Sequence, residues 1–186
     1  MPIRILALSG SLRSTSTNTA LLKAGAALAP AGTTFDFYEG LGTLPPFDPG
    51  LELDPTDYQA PAPLVDLRHR IAAADAVLIC TPEYAFGMPG VLKNALDWIV
   101  GMGVIEGKPV AAWAASPMGM GPLGEGGSRA HQGLLWVLTA LGTKQVTDAH
   151  RVFNRVKSRL DAEGRVSDPA TSASIEAAVA ALVQAT

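Results

Sequence analysis

Two stretches of this chain gather the residue types that handle a ligand. The first is Gly10-Ser11-Leu12-Arg13-Ser14-Thr15-Ser16-Thr17-Asn18. It follows an apolar run and precedes a helical pattern, so N–H groups at the helix start lack intrahelical acceptors and can donate to an anion. The hydroxyls of Ser11 and Ser16 and the Asn18 amide add donors. Arg13 adds a permanent charge and a two-pronged fork suited to phosphate. No Gly-Lys-Ser/Thr follows, so this is not a nucleotide-hydrolysing P-loop. The set suits a phosphomonoester that is held rather than transferred. The same residues would also make an ordinary capped helix start beside an exposed arginine.

The second stretch, Thr81-Pro82-Glu83-Tyr84-Ala85-Phe86-Gly87-Met88-Pro89-Gly90, holds an acid, two aromatics, a methionine and two prolines. Its prolines stiffen it, and the Tyr84 and Phe86 rings can wall a planar heterocycle. Phe86 and Met88 could equally plug the sheet end or meet a second subunit. Gly119-Met120-Gly121-Pro122-Leu123-Gly124 matches G-x-G-x-x-G in form only. More glycine follows it, the helix starts only near Ser128, and Asp148 is a poor ribose-binding acid, so it is not a dinucleotide fingerprint. It reads as flexible backbone approaching a ligand edge, or as a surface loop.

His69, His131 and His150 have no metal-ligand spacing, and structural or solvated roles suit them. The single cysteine, Cys80, lies in an apolar run and reads as core. There is no Gly-x-Ser-x-Gly elbow and no paired carboxylate. A site that binds phosphate and a ring without offering an acid, base or nucleophile leaves the chemistry to a cofactor. Flavin fits, because its own N5 accepts hydride.

Alternating strands and helices must position these loops. Ile3 to Leu8, Thr33 to Tyr38, Ala76 to Cys80 and Val110 to Ala115 read as strands, with a weak one near Val146. Helical spacing joins Leu21, Ala24, Gly25 and Leu28; then Leu64, Leu67, Ile71 and Ala74; then Leu92, Ala95, Leu96, Ile99 and Val100. It recurs in Ala130, Leu134, Val137, Leu138 and Leu141, and in Ile175, Ala178, Val179 and Leu182. Residues 40 to 63 are proline-rich and irregular, long enough to cover a neighbouring surface. Asp161 to Arg165 is a turn. The pattern is α/β, a parallel sheet with helices on both faces, and it puts ligand chemistry at the carboxyl ends of the strands.

Composition bounds the rest. The 186 residues suffice for one domain with a real core. A net charge of −3 offers no basic surface to nucleic acid or to an anionic membrane. Mean hydropathy is +0.23, yet no apolar run is as long as a membrane span. The start has no basic n-region, so the chain is expected to be soluble and cytoplasmic. Abundant alanine and glycine leave apolar surface for a subunit contact.

The residues Gly10-Ser11-Leu12-Arg13-x-x-Ser16-x-Asn18, Thr81-Pro82-Glu83-Tyr84 and Pro89-Gly90-x-Leu92-Lys93-Asn94-Ala95-Leu96-Asp97-Trp98 resemble the NADPH-dependent FMN reductase family. Gly127-x-Arg129-Ala130-His131 is similar to a third segment of that family. The resemblance implies one flavodoxin-like FMN-binding domain over residues 1–186, a three-layer sandwich with a five-stranded parallel sheet of order 2-1-3-4-5. It implies FMN as cofactor, NADPH or NADH as co-substrate, and onward transfer in a ping-pong cycle to free flavin, quinones, azo dyes or metal oxyanions such as chromate. Carried over by position, Ser11, Arg13, Ser16, Thr17 and Asn18 hold the FMN phosphate. Pro82, Glu83, Tyr84, Ala85 and Phe86 line ribityl and ring, and Ser116 and Gly119 approach the isoalloxazine. A homodimer or homotetramer is implied, with Lys93, Asp97 and Trp98 suited to the contact. Many members carry Asn where this chain has Ala85, and a small polar residue where it has Gly87. Losing one such hydrogen bond costs about 0.5–1.5 kcal/mol, up to roughly tenfold in affinity, so FMN is expected to dissociate readily. The alternative is a flavodoxin-type electron carrier without its own NAD(P)H activity, which the modest charge argues against.

Overall fold

The computed structural model describes residues 2–49, 60–101, 103–116 and 126–186. Strands β1 (Ile3–Ser9), β2 (Thr33–Tyr38), β3 (Ala76–Thr81) and β4 (Pro109–Ala115) alternate with helices α1 (Thr17–Ala27), α2 (Ala62–Ala73) and α3 (Gly90–Val100). Helix α4 (Ser128–Ala140), strands β5 (Lys144–Gln145) and β6 (Arg151–Phe153), and helix α5 (Pro169–Gln184) complete the described elements. The sheet is parallel, in the order β2-β1-β3-β4-β5, with β6 also paired to β4. Its order reverses between β1 and β3, which meet in the register Ile5 to Ala76 through Ser9 to Cys80.

Side chains alternate across this sheet as a two-residue period requires. Leu6, Leu8, Val77, Ile79, Val110 and Ala112 face one side, packed with buried residues of α2, α3 and α4. Ile5, Ala7, Leu78, Cys80, Ala111 and Trp113 face the other, against α1 and α5. The molecule is thus the expected three-layer, flavodoxin-like sandwich. Gly25, an otherwise poor residue for mid-helix, has a reason here: a Cβ would stand 3.2 Å from Trp113 Cη2.

Two helical expectations need correction. Val100, counted in the apolar stripe of α3, is 58% exposed, whereas Trp98, assigned to a subunit contact, is 2% exposed. Trp98 donates from Nε1 to the Pro45 carbonyl at 2.9 Å and meets Phe47 edge-to-face at 5.1 Å. The proline-rich segment therefore does cover something, and Trp98 is what it covers. Asn94 assists, donating to the Pro45 carbonyl and accepting from the Phe47 N–H.

The weak strand near Val146 is split into β5 and β6. A short 3-10 helix, Thr147–Ala149, separates them. Across this gap two imidazoles replace the missing ladder: Ala112 N–H donates to His150 Nδ1 at 3.0 Å, and the Ala112 carbonyl accepts from His131 Nε2 at 3.0 Å. The rings stand 5.8 Å apart. Neither histidine is isolated or solvated; the two are structural as a pair.

Candidate functional site

The loop after β1 is folded by its own small side chains. Gly10 N–H donates to the Cys80 carbonyl (2.8 Å), tying the loop to β3. A Cβ at residue 10 would stand 3.1 Å from Leu92 and 3.3 Å from Pro82, so glycine allows the close approach. Ser16 caps α1, its hydroxyl accepting from Asn18 N–H at 3.2 Å. Asn18 is buried beneath the loop, and its Oδ1 accepts from the Cys80 thiol at 3.2 Å. Burial pushes the Cys80 thiol far up, so it stays protonated and is no nucleophile. Ser11 is held in place by accepting from Arg13 N–H. The loop therefore presents hydroxyls and the positive end of α1 in a pre-formed arrangement.

The loop after β3 enters from the other side of the order reversal. Its Glu83 carboxylate does not face a ligand alone: Oε2 accepts from the N–H groups of Arg129 and Ala130, both at 3.0 Å. Helix α4 starts at Ser128 after an N-cap glycine, Gly127, that has no side chain to cap it, and Glu83 caps it from another loop. Beyond Glu83 the chain makes a tight turn in which Tyr84 and Gly87 exchange both backbone hydrogen bonds, at 2.9 and 3.0 Å. Ala85 and Phe86 sit in it at φ 48° and 66°.

These loops enclose a cavity of about 500 Å³. Of the residues expected at the site, Ser11, Arg13, Ser16, Thr17, Asn18, Pro82, Glu83, Tyr84 and Ser116 all line it. Ala85 sits on the turn next to it. Phe86 lines a neighbouring cavity of about 520 Å³ with Met88, Trp136 and Arg129, whose guanidinium stands 4.8 Å from the Phe86 ring. Gly119 lies outside the described residues. The sequence reading missed Thr15, Lys157 and Leu160, which also line the first cavity. Lys157 arrives on a 3-10 helix, Val156–Arg159, after β6. Ser116 ties that segment to the site, donating from N–H to the Phe153 carbonyl and accepting from Val156 N–H.

The donor set fits FMN. Arg13 and Lys157, neither with an acidic partner among the described residues, face the α1 N-terminus and the hydroxyls of Ser11, Ser16 and Thr17. Together they suit a phosphomonoester of charge about −1.5 to −2. Pro82, Tyr84, Ala115 and Leu160 supply apolar wall for a ring system. The volume lies within the roughly 300–1,000 Å³ of small-ligand sites. Among the described residues no cluster of His, Cys, Asp and Glu could hold a metal, and no helix is long and apolar enough to cross a membrane.

Comparison with known proteins agrees with this chemistry. The sequence pattern of the family described as NADPH-dependent FMN reductase matches residues 3–157. A 2-hydroxy-1,4-benzoquinone reductase from a Burkholderia species is 37% identical over 171 residues, covering 89% of this chain and 86% of the relative. An NAD(P)H-dependent FMN reductase of Pseudomonas aeruginosa is 33% identical over 168 residues, covering 89% and 85%. Among solved structures, the flavoenzyme NAD(P)H:(acceptor) oxidoreductase FerB of Paracoccus denitrificans superposes with a TM-score of 0.80 at 31% identity, covering 98% of this chain and 96% of that one.

Proposed function

The chain belongs to the NADPH-dependent FMN reductase family and is an NAD(P)H-dependent flavin oxidoreductase with FMN as its cofactor; on that premise we propose that it reduces a small quinone. Bound FMN supplies a ring that takes hydride from nicotinamide and hands it to the oxidant. The protein's part is to bind, orient and shield. Arg13, Lys157 and the α1 N-terminus anchor the phosphate, with the hydroxyls of Ser11, Ser16 and Thr17; Asn18 braces the loop from below. Pro82, Tyr84 and Ser116 border ribityl and ring. Glu83, engaged by two N–H groups of α4, fixes the distance between the two loops rather than moving a proton. With FMN held by these residues, donor and oxidant would use the same open side of the cavity in turn, a ping-pong order that predicts parallel double-reciprocal plots. The electron-carrier alternative is not favoured, because the relatives are reductases that use NAD(P)H.

A quinone is preferred over free flavin because one relative acts on 2-hydroxy-1,4-benzoquinone and the open side of the cavity carries Tyr84, 52% exposed. Such a ring can stack on a flat oxidant. The enzyme would work in the cytoplasm, where NADPH is supplied. The exposed face beside the cavity, with Phe86 and Trp136, is proposed to meet a second copy of the chain.

The observation that carries this reading is the meeting of Arg13 and Lys157, without acidic partners among the described residues, and a helix N-terminus in one cavity bordered by Tyr84. An absorption titration with FMN followed by anaerobic NADPH tests it. A shifted flavin spectrum that bleaches supports the assignment, and no shift at any FMN concentration ends it. Arg13→Ala should weaken FMN binding by about 10- to 100-fold, the worth of a charge-assisted contact, while leaving thermal stability of the flavin-free protein unchanged. Unaltered FMN affinity in that variant would remove Arg13 from the phosphate site.

A further inference from the structure

A buried chain of hydrogen bonds runs from the middle of the sheet to the cavity beside the α1 N-terminus. Cys80 on β3 is fully buried, and its thiol donates to Asn18 Oδ1 at 3.2 Å. Asn18, 3% exposed, turns the other end of its amide toward the loop, where Nδ2 donates to Ser16 Oγ in a longer contact of 3.5 Å. The same oxygen accepts from Asn18 N–H at 3.2 Å. Ser16 lines the cavity.

This chain has a direction. A hydroxyl oxygen accepts through two lone pairs and donates one hydrogen. Both lone pairs of Ser16 Oγ face N–H groups of Asn18, so its hydrogen points elsewhere, and among the described residues it has no acceptor. Because Ser16 stands at the cavity wall, that hydrogen is available to an anion there. The direction is set at the far end. Among the described residues the Asn18 side chain has no partners besides Cys80 and Ser16. Sulfur is a weak acceptor, and burial keeps this thiol protonated, so it selects the carbonyl end of the amide over the NH2 end. With the amide turned over, Nδ2 would face sulfur and Oδ1 would face Ser16. The Ser16 hydrogen would then turn inward and be lost to a ligand.

We propose that Cys80 is a positioning residue for the flavin phosphate: its thiol holds the Asn18 amide in the orientation that leaves the Ser16 hydroxyl free to donate. The proposal rests on the reading of this cavity as the FMN site. Cys80 does not line the cavity and acts through Asn18 and Ser16. It gives the one cysteine of the chain a task that filling the sheet does not, since a small apolar side chain would fill that place as well.

Fluorescence titrations of the flavin-free protein with FMN and with riboflavin test this, because riboflavin has the same ring and ribityl chain without the phosphate. Cys80→Ala should weaken FMN about five- to tenfold, part of the worth of a hydrogen bond to a charged group, and riboflavin less than about twofold. Cys80→Val, which refills the volume, should show the same loss if the alanine variant is too unstable to titrate. Cys80→Ser supplies a donor again and should return the FMN-to-riboflavin ratio to within about twofold of the wild type. In a Ser16→Ala background, Cys80→Ala should change that ratio no further, because the hydroxyl it orients is gone. Equal weakening of both flavins, a serine variant no better than alanine, or a further loss in the Ser16→Ala background would overturn the proposal. If the wild-type protein binds FMN no more tightly than riboflavin, the phosphate reading itself falls and takes this one with it. If it discriminates and Cys80→Ala discriminates equally well, only the role of Cys80 is lost.

Discussion

Ala85 and Phe86 stand out among single residues because neither is suited to its backbone. Both have left-handed φ, at 48° and 66°, where an L side chain costs about 1–2 kcal/mol and Asn or Gly costs far less. The Asn that many family members carry here is thus the residue the turn itself favours, apart from any contact with flavin. Ala85→Asn and Ala85→Gly should each raise stability by several tenths to about 1 kcal/mol, measured as the midpoint of urea unfolding. No gain from either would show the turn to be unstrained. A gain in FMN affinity from Asn but not from Gly would assign the difference to a side-chain contact with the flavin. Strain kept at a site edge is common where a side chain must be held in place; here the turn projects Tyr84 and Phe86, both more than half exposed.

Two of the contacts that cross between elements in this fold bear directly on stability and binding. Glu83 joins the loop after β3 to the start of α4, and the carboxylate suits both the free N–H groups and the positive helix end. Glu83→Ala should cost about 1–2 kcal/mol of stability and loosen FMN, with Glu83→Gln losing less; an FMN affinity unaffected by both would mean that the two loops are held apart by other contacts. The His131–Ala112–His150 clip makes the edge of the sheet sensitive to pH. His150 accepts a hydrogen bond at Nδ1, so the clip requires its neutral form. Burial, reinforced by His131 and Arg151, pushes its pKa down to about 4 from 6.5, and burial lowers His131 too. Between those values the unfolded chain binds the proton and the folded one does not. The contribution is therefore complete above pH 6.5 and is lost as the pH falls through about 4. His150→Gln, which can still accept from Ala112 but does not titrate, should flatten the stability profile across that interval. Parallel profiles for the two proteins would exclude His150 as the source.

Over the whole molecule, two of the large exposed apolar side chains meet at one place. Trp136 on α4 is 69% exposed and Phe86 is 55% exposed, and both line the same cavity. Trp136, Phe86, Met88 and Val137 line one shallow cavity, with Lys93 and Arg129 also on it. A large aromatic left in water beside other apolar groups marks an interaction face, and a second copy of the chain would cover it with the same residues. Trp136→Glu should convert an assembly to a monomer in light scattering at micromolar concentration. A wild-type protein that is already monomeric there would refute the pairing. Such a contact would lie beside the proposed flavin cavity, so assembly and turnover should be lost together.

Much of this was legible in the residues alone. The runs Ile3 to Leu8, Ala76 to Cys80 and Val110 to Ala115 are apolar because those strands are covered on both faces, and that demand is written locally in residue type. The donors of residues 11–18 belong to one strand-to-helix turn, so they converge wherever that turn is placed. What the sequence could not determine depended on partners far along the chain. Lys157 reaches the cavity beside the α1 N-terminus only because the sheet edge breaks at Thr147–Ala149 and restarts as β6. Trp98 is buried and Val100 is exposed because the segment around Pro45 folds over one side of α3, a choice no helical period encodes. Glu83 lines the cavity, and its carboxylate is also bound by two N–H groups on α4, a partner that no local pattern names. Burial period is a property of neighbours in sequence, whereas hydrogen-bond and charge partners are set by neighbours in space, and only the folded chain brings those together.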